Sequence, residues 1–257
     1  MLYFLSRNIS YFVLYQNMFV LCAKSLSILK NCRYFKMTDY SVARKNMVEC
    51  QLHPCGVNDE RVLTAYKNTP RERFVSQMQR SIAYADNELP LGHERFLISP
   101  MVHARMIHAT KVKPDDVVLD IGGATGYSAA VLSQLATTVV AVENQADFLE
   151  QAKTTLIDMD LLNILHVDNA LNDGDAKHGP YDVIIINGAA EVIPEALLDQ
   201  LNIGGRLCYI ERRISAKSYG QVVLLTKRAD NQCDKRVLFE TNGHVLSGFA
   251  AEESFSF

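Results

Sequence analysis

Apolar positions along this chain fall into two regimes. Between residues 40 and 110 they recur three and four apart, the spacing of one helix face, which predicts helices over 40–52, 59–68 and 100–110. Asn58 or Asp59 supplies the N-cap of the second, and Pro70 stops it. Residues 70–99 are dense in turn formers and carry no periodic element. Beyond Pro114 and Asp115, short apolar runs alternate with amphipathic stretches. They predict strands at 117–121, 138–143, 164–168, 181–187, 206–211, 221–227 and 236–240, and helices at 127–136, 146–159 and 195–201.

Strands joined through helices run parallel with right-handed crossovers, so the pattern implies an α/β sheet. The link over 228–235 is too short for a crossover, which makes the last two strands antiparallel neighbours. In an open sheet of this kind a ligand binds at the carboxyl ends of the strands, at the switch point beside the first. Asp120, Gly122, Glu143, Asp168 and Asn187 all fall at such ends.

The first strand leads into Gly122-Gly123-Ala124-Thr125-Gly126 and out through Tyr127-Ser128-Ala129-Ala130. A turn without Cβ atoms lets the backbone pass close under a ligand, and the following helix offers unpaired N–H groups and the positive end of its dipole. Two acids, Asp120 and Glu143, flank that place, which suits a nucleoside cofactor. The match to a dinucleotide G-x-G-x-x-G is poor, because Ala124 and Tyr127 stand at its second and third glycines. The pattern D-x-G-x-[GA]-x-G instead resembles the first motif of the class I S-adenosylmethionine-dependent methyltransferases, with Ala124 a mild departure. That resemblance implies a seven-stranded, mostly parallel Rossmann-like methyltransferase sheet. It places Gly122, Gly123, Ala124 and Gly126 against the methionine part of S-adenosylmethionine and Glu143 on the ribose. Asp168 or Asn169 falls near the adenine, and Asn187 beside the methyl group. Asp and Asn also favour caps and turns for local reasons.

Several further segments narrow the resemblance. Met47-Val48-Glu49-Cys50-Gln51-Leu52, Pro70-Arg71-Glu72-Arg73-Phe74-Val75, Ala83-Tyr84-Ala85-Asp86 and Leu89-Pro90-Leu91-Gly92 resemble the protein-L-isoaspartate O-methyltransferases, as do Pro180-Tyr181-Asp182-Val183-Ile184 and Gly204-Gly205-Arg206-Leu207. The family implies methylation of isoaspartyl carboxylates in damaged proteins, so the expected partner is a protein or peptide bearing such residues. The chain departs from the family in the acceptor loop: Phe96-Leu97-Ile98 stand where the family has Thr-Ile-Ser, and Ser99 falls one residue late. A shift of one residue would present Ser99 to the acceptor, and Arg95 could grip a carboxylate through a bidentate contact or else be solvated. Ser99 and Arg95 are therefore the candidate catalytic residues. A different acceptor, or a cofactor binder without turnover, stays open.

Composition adds exclusions. A net charge of −3 gives no general affinity for nucleic acid or anionic lipid. Six cysteines without a C-x-x-C pair read as reduced thiols of a cytoplasmic protein, and His53 between Cys50 and Cys55 makes only a weak metal site. Residues 1–36 hold five basic residues and no acid, and their apolar runs are too interrupted to span a membrane. They are expected to be a non-core extension before Met37, followed by a helical and acceptor-loop segment over 37–110 and a cofactor domain over 111–257. The histidines form no catalytic cluster, and His103 and His108 are expected to serve packing.

Overall fold

The computed structural model describes residues 39–212 and 219–251. The expected extension over 1–36 lies outside the described residues. The helical segment begins with α1 (Tyr40–Met47), which continues as a π-helical turn over Val48–Leu52. Then comes α2 (Glu60–Asn68), whose N-cap Asp59 accepts from the Arg61 N–H at 2.9 Å. Residues 70–99, expected to be irregular, hold 3₁₀ turns at Arg71–Phe74 and Gln77–Ile82 and a small antiparallel hairpin of β1 (Leu89–Gly92) and β2 (Arg95–Leu97). His93 and Glu94 turn that hairpin at φ 48° and 56°. Two-residue hairpin turns favour Gly or Asn at such angles, and neither is present to signal it.

Helix α3 (Pro100–Thr110) leads to the main sheet: β3 (Val117–Ile121), α4 (Tyr127–Leu132), β4 (Thr138–Glu143), α5 (Ala146–Ile157), β5 (Ile164–Asp168), β6 (Tyr181–Ala190), α6 (Glu195–Asp199), β7 (Leu201–Arg212), β8 (Tyr219–Lys227) and β9 (Cys233–Asn242). The strand order is β5-β4-β3-β6-β7-β8-β9. β5 to β7 are parallel, and β8 runs against both β7 and β9. The seven expected strands are all present. β7 starts five residues earlier than expected, taking Leu201 from the expected helix. Gly204, at φ 79°, and Gly205 form an irregularity inside this strand, where the sequence suggests a turn before it. The reach from β5 to β6 contains turns and no helix.

Successive β3 residues face opposite layers. Val118 packs with Met47, Tyr66, Phe74 and Met106 of the helical segment, whereas Leu119 and Ile121 pack with Leu171, Leu246 and Phe249. The helical segment and the sheet thus share one core, and that shared core holds the hairpin against the carboxyl ends of β3 and β4. After β9, residues 243–251 return as a strap. Ala189 N–H donates to His244 O at 2.8 Å, and Leu246 N–H to Ala189 O at 3.0 Å. No helix of the described residues is long and apolar enough to cross a membrane.

Candidate functional site

β3 ends by delivering Asp120 and Ile121 into the glycine turn. Gly122 sits at φ 69°, Ala124 at 48° and Gly126 at 92°. Ala124 is the unusual member, an L residue in the left-handed region where glycine is favoured. The three glycines have different tasks. A Cβ on Gly122 would lie 2.9 Å from Arg95 Nη2 and 3.0 Å from Leu246 Cδ1; one on Gly123 would lie 2.7 Å from Asp120 Oδ2. A Cβ on Gly126 would instead meet Ala152 Cβ at 3.0 Å, so this residue serves the close approach of α4 to α5.

Asp120 is fully buried beneath the turn. Its Oδ1 accepts from Ser128 Oγ at 2.6 Å and Asn187 Nδ2 at 2.8 Å, while Oδ2 has no protein partner. Burial pushes its pKa up to about 6; the charge of Glu143 adds to this, and the two hydrogen bonds oppose it. Asn187 also donates to Ile121 O at 3.1 Å, which ties β6 to the end of β3.

Glu143 closes β4 and is 4% exposed. Its Oε2 accepts from the Ala124 N–H at 2.9 Å, and its Oε1 from the N–H groups of Asn144 at 3.0 Å and Gln145 at 3.2 Å. Arg95 completes the set with two parallel bonds, Nη1 to Oε1 at 2.9 Å and Nη2 to Oε2 at 3.1 Å. Arg95 Nη2 donates to Gly122 O as well. The guanidinium is therefore neither solvated nor held out toward an acceptor: it is 6% exposed and lies inside the cleft.

The other expected residues divide. Asp168 is exposed at the end of β5, paired in register with Glu143. Asn169 is engaged locally, donating to Gly174 O and accepting from Ala170 N–H, both at 2.9 Å, which is the turn-forming alternative. Ser99 is not shifted toward the site. It caps α3, its Oγ accepting from the Val102 N–H at 3.4 Å, and Ile98 takes the cavity wall. Pro100 fixes this frame by opening the helix.

Further neighbours close the cleft, of which Leu246 and His244 carry no signal in the sequence. Leu246 comes from the strap and packs over Gly122 and Gly188. Phe96 stacks on His244 with ring centroids 3.7 Å apart, and His244 Nε2 lies 3.3 Å from Glu88 Oε2. His103, placed in the core as expected, bonds Tyr66 Oη through Nδ1 at 2.6 Å, and burial lowers its pKa to about 3. Its Nε2 lacks a protein partner, and the ring lines a cavity of about 10 Å³ with Ile98, Tyr127 and Asn187. A second cavity of about 10 Å³ lies between Asp120, Ala124 and Glu143. Each is the size of one water. Cys50 and Cys55 are exposed free thiols, and no cluster among the described residues could hold a metal ion.

A doubly wound sheet with a glycine turn and two acids at its carboxyl edge defines a Rossmann-like methyltransferase. A solved protein-L-isoaspartate O-methyltransferase shares the architecture, with a TM-score of 0.72 and 26% identity over 80% of this chain and 66% of that one. The chain belongs to the protein-L-isoaspartate(D-aspartate) O-methyltransferase family, which it matches over residues 43–242. A relative from Koribacter versatilis is 37% identical over 171 residues, 66% of this chain and 77% of the relative. One from Xanthomonas axonopodis pv. citri is 35% identical over 196 residues, 76% and 84% of the two chains. A Plasmodium falciparum structure in complex with S-adenosyl-L-homocysteine, 19% identical, has the same fold with a TM-score of 0.69 and covers 79% of this chain.

Proposed function

We propose that the carboxyl-edge cleft binds S-adenosylmethionine and that the chain esterifies isoaspartyl carboxylates in proteins. The observation that carries this reading is Glu143, held at the end of β4 against the N–H of the glycine turn in a member of this family. Two features fit the cofactor's chemistry. The carboxylate of Glu143 is an acceptor of the kind that two ribose hydroxyls take, and the unpartnered Oδ2 of Asp120 leaves an acceptor beneath the turn. Asp168, exposed beside Glu143, is the residue assigned to the adenine end; Asn169 forms a local turn.

When bound, the cofactor supplies a methyl group on a positively charged sulfur. An acceptor carboxylate already carries its lone pair near neutral pH, so the protein has no proton to move. Its residues need only align the acceptor and exclude water. Phe96, stacked on His244, and Ile98 provide an apolar roof for that purpose. Because Ile98 offers no hydroxyl where the family carries serine, activity on isoaspartyl peptides is expected to be measurable but weak. Ser99→Ala is expected to reduce it little, given the cap role of Ser99. The test is methyl ester formation on the isoaspartyl and aspartyl forms of one peptide. Ester on the isoaspartyl form alone supports the reading. Binding of S-adenosylhomocysteine without ester on either would assign the site to another acceptor or to a binder without turnover.

A further inference from the structure

Glu143 has five donors around it: the N–H groups of Ala124, Asn144 and Gln145 and two from Arg95. A carboxylate offers about four lone-pair sites. None is left for a ribose. Three of the five donors are backbone groups of the turn and of the end of β4, fixed by the sheet itself. The two that can leave belong to Arg95, at the start of the short strand β2, beside a turn of two left-handed residues.

We propose that Arg95 is a built-in competitor for the nucleoside site, occupying Glu143 in the free protein, and that a cofactor binds only by displacing its guanidinium. Leu246 acts beside it. Both atoms nearest a Cβ on Gly122 come from these two residues, so together they fill the hollow that the glycine turn creates. The two come from separate segments. Arg95 precedes the altered acceptor loop, and the strap that carries Leu246 begins at residue 243, just beyond the family match that ends at residue 242. The observed affinity of such a site is its intrinsic affinity reduced by the fraction of molecules in which Glu143 is free. Arg95 therefore sets how much cofactor is needed, a specificity role distinct from contact with the reacting atoms.

This inference rests on the reading of the cleft as an S-adenosylmethionine site, and calorimetry with S-adenosylhomocysteine on the full chain separates the two. Arg95→Ala, which removes charge and bulk, should tighten binding by about tenfold or more, and Arg95→Met, which keeps most of the bulk, by less. Melting curves report whether each variant is folded. Wild-type binding with equal or weaker binding by folded variants would overturn the competitor and leave the cofactor reading standing. Absence of binding by all three proteins would overturn both. A measurement on the wild type needs no variant: saturating S-adenosylhomocysteine should speed hydrogen exchange at the amides of the hairpin Leu89 to Leu97, because displacement of Arg95 releases its anchor. Slower exchange there would count against the competitor, since it would mean that the hairpin closes on the ligand.

Discussion

The two ends of the parallel strands contrast sharply. At the amino end an open groove of about 490 Å³ lies between the end of α3 and the β8 and β9 strands, lined by Lys111, Lys113, Arg206, Lys235 and Arg236. At the carboxyl end the cavities lined by described residues hold about one water each. Both ends bury an acid that already has partners, Asp116 at the amino end and Glu143 at the carboxyl end. In the groove, Arg206 already pairs with Asp116 and Lys235 with Glu211, and both Lys111 and Lys113 follow the helix end in solvent. Arg206 Nε is buried without a partner there, as Asp120 Oδ2 is at the carboxyl end; the five-donor crowding of the Glu143 carboxylate belongs to the carboxyl end. Among the described residues, then, empty volume does not point to the carboxyl edge. A site filled by its own side chains shows itself through buried charge whose partner comes from a distant, movable segment.

The sharpest way to break this contrast is Glu143→Ala. It would leave the Arg95 guanidinium buried with only Gly122 O, and loss of one partner of a buried pair costs about 3–5 kcal/mol. Urea unfolding should show that loss together with absence of S-adenosylhomocysteine binding. A variant as stable as wild type would mean that the pair is loose. Gly122→Val comes next: a branched residue at φ 69° stores about 1–3 kcal/mol of strain and intrudes on Arg95 and Leu246. Calorimetry should detect no S-adenosylhomocysteine binding even where the variant is folded.

Asp120→Asn tests the electrostatics of the same end. A carboxyl group whose folded pKa is raised from 3.8 to about 6 binds more protons folded than unfolded between those values, so stability falls as pH rises through that window. Removing the charge should raise stability above about pH 7 by roughly 1–2 kcal/mol, under the ~3 kcal/mol that two units allow, because the new amide nitrogen also lacks a partner. The gain should vanish near pH 4, as thermal melts across pH will reveal. At the amino end Lys113→Ala should shift stability by no more than about 0.5 kcal/mol and leave cofactor binding unchanged. A large effect there would make the groove a functional surface.

Much of this arrangement was legible in the chain. The apolar runs of β3, β4 and β6 and their acidic or amide ends lie where alternation and the rules for open sheets place them, because burial on both faces leaves a plain signal. Asp120, Glu143 and Asn187 were placed at the carboxyl edge by that route, and they lie there. Arg95 was found as a residue and mistaken in its surroundings: nothing local in His93-Glu94-Arg95 announces a hairpin, so the direction of the guanidinium could not be read. Leu246 gave no signal at all, since a lone leucine in a tail has no periodicity. Its position depends on the bonds between the strap and Ala189. Asn169 and Ser99 illustrate local turn and cap preferences, which their hydrogen bonds satisfy.

The pairing of Arg95 with Glu143 also constrains descent. The two positions lie 48 residues apart and cannot change in either order with equal consequence. If Arg95 is replaced first, Glu143 retains three backbone N–H donors and the lineage passes through a viable protein. If Glu143 is replaced first, a cation is stranded in the interior at a cost comparable to much of the 5–15 kcal/mol that keeps a domain folded. Lineages should therefore contain chains with the acid and no arginine, and hardly any with the arginine and no acid.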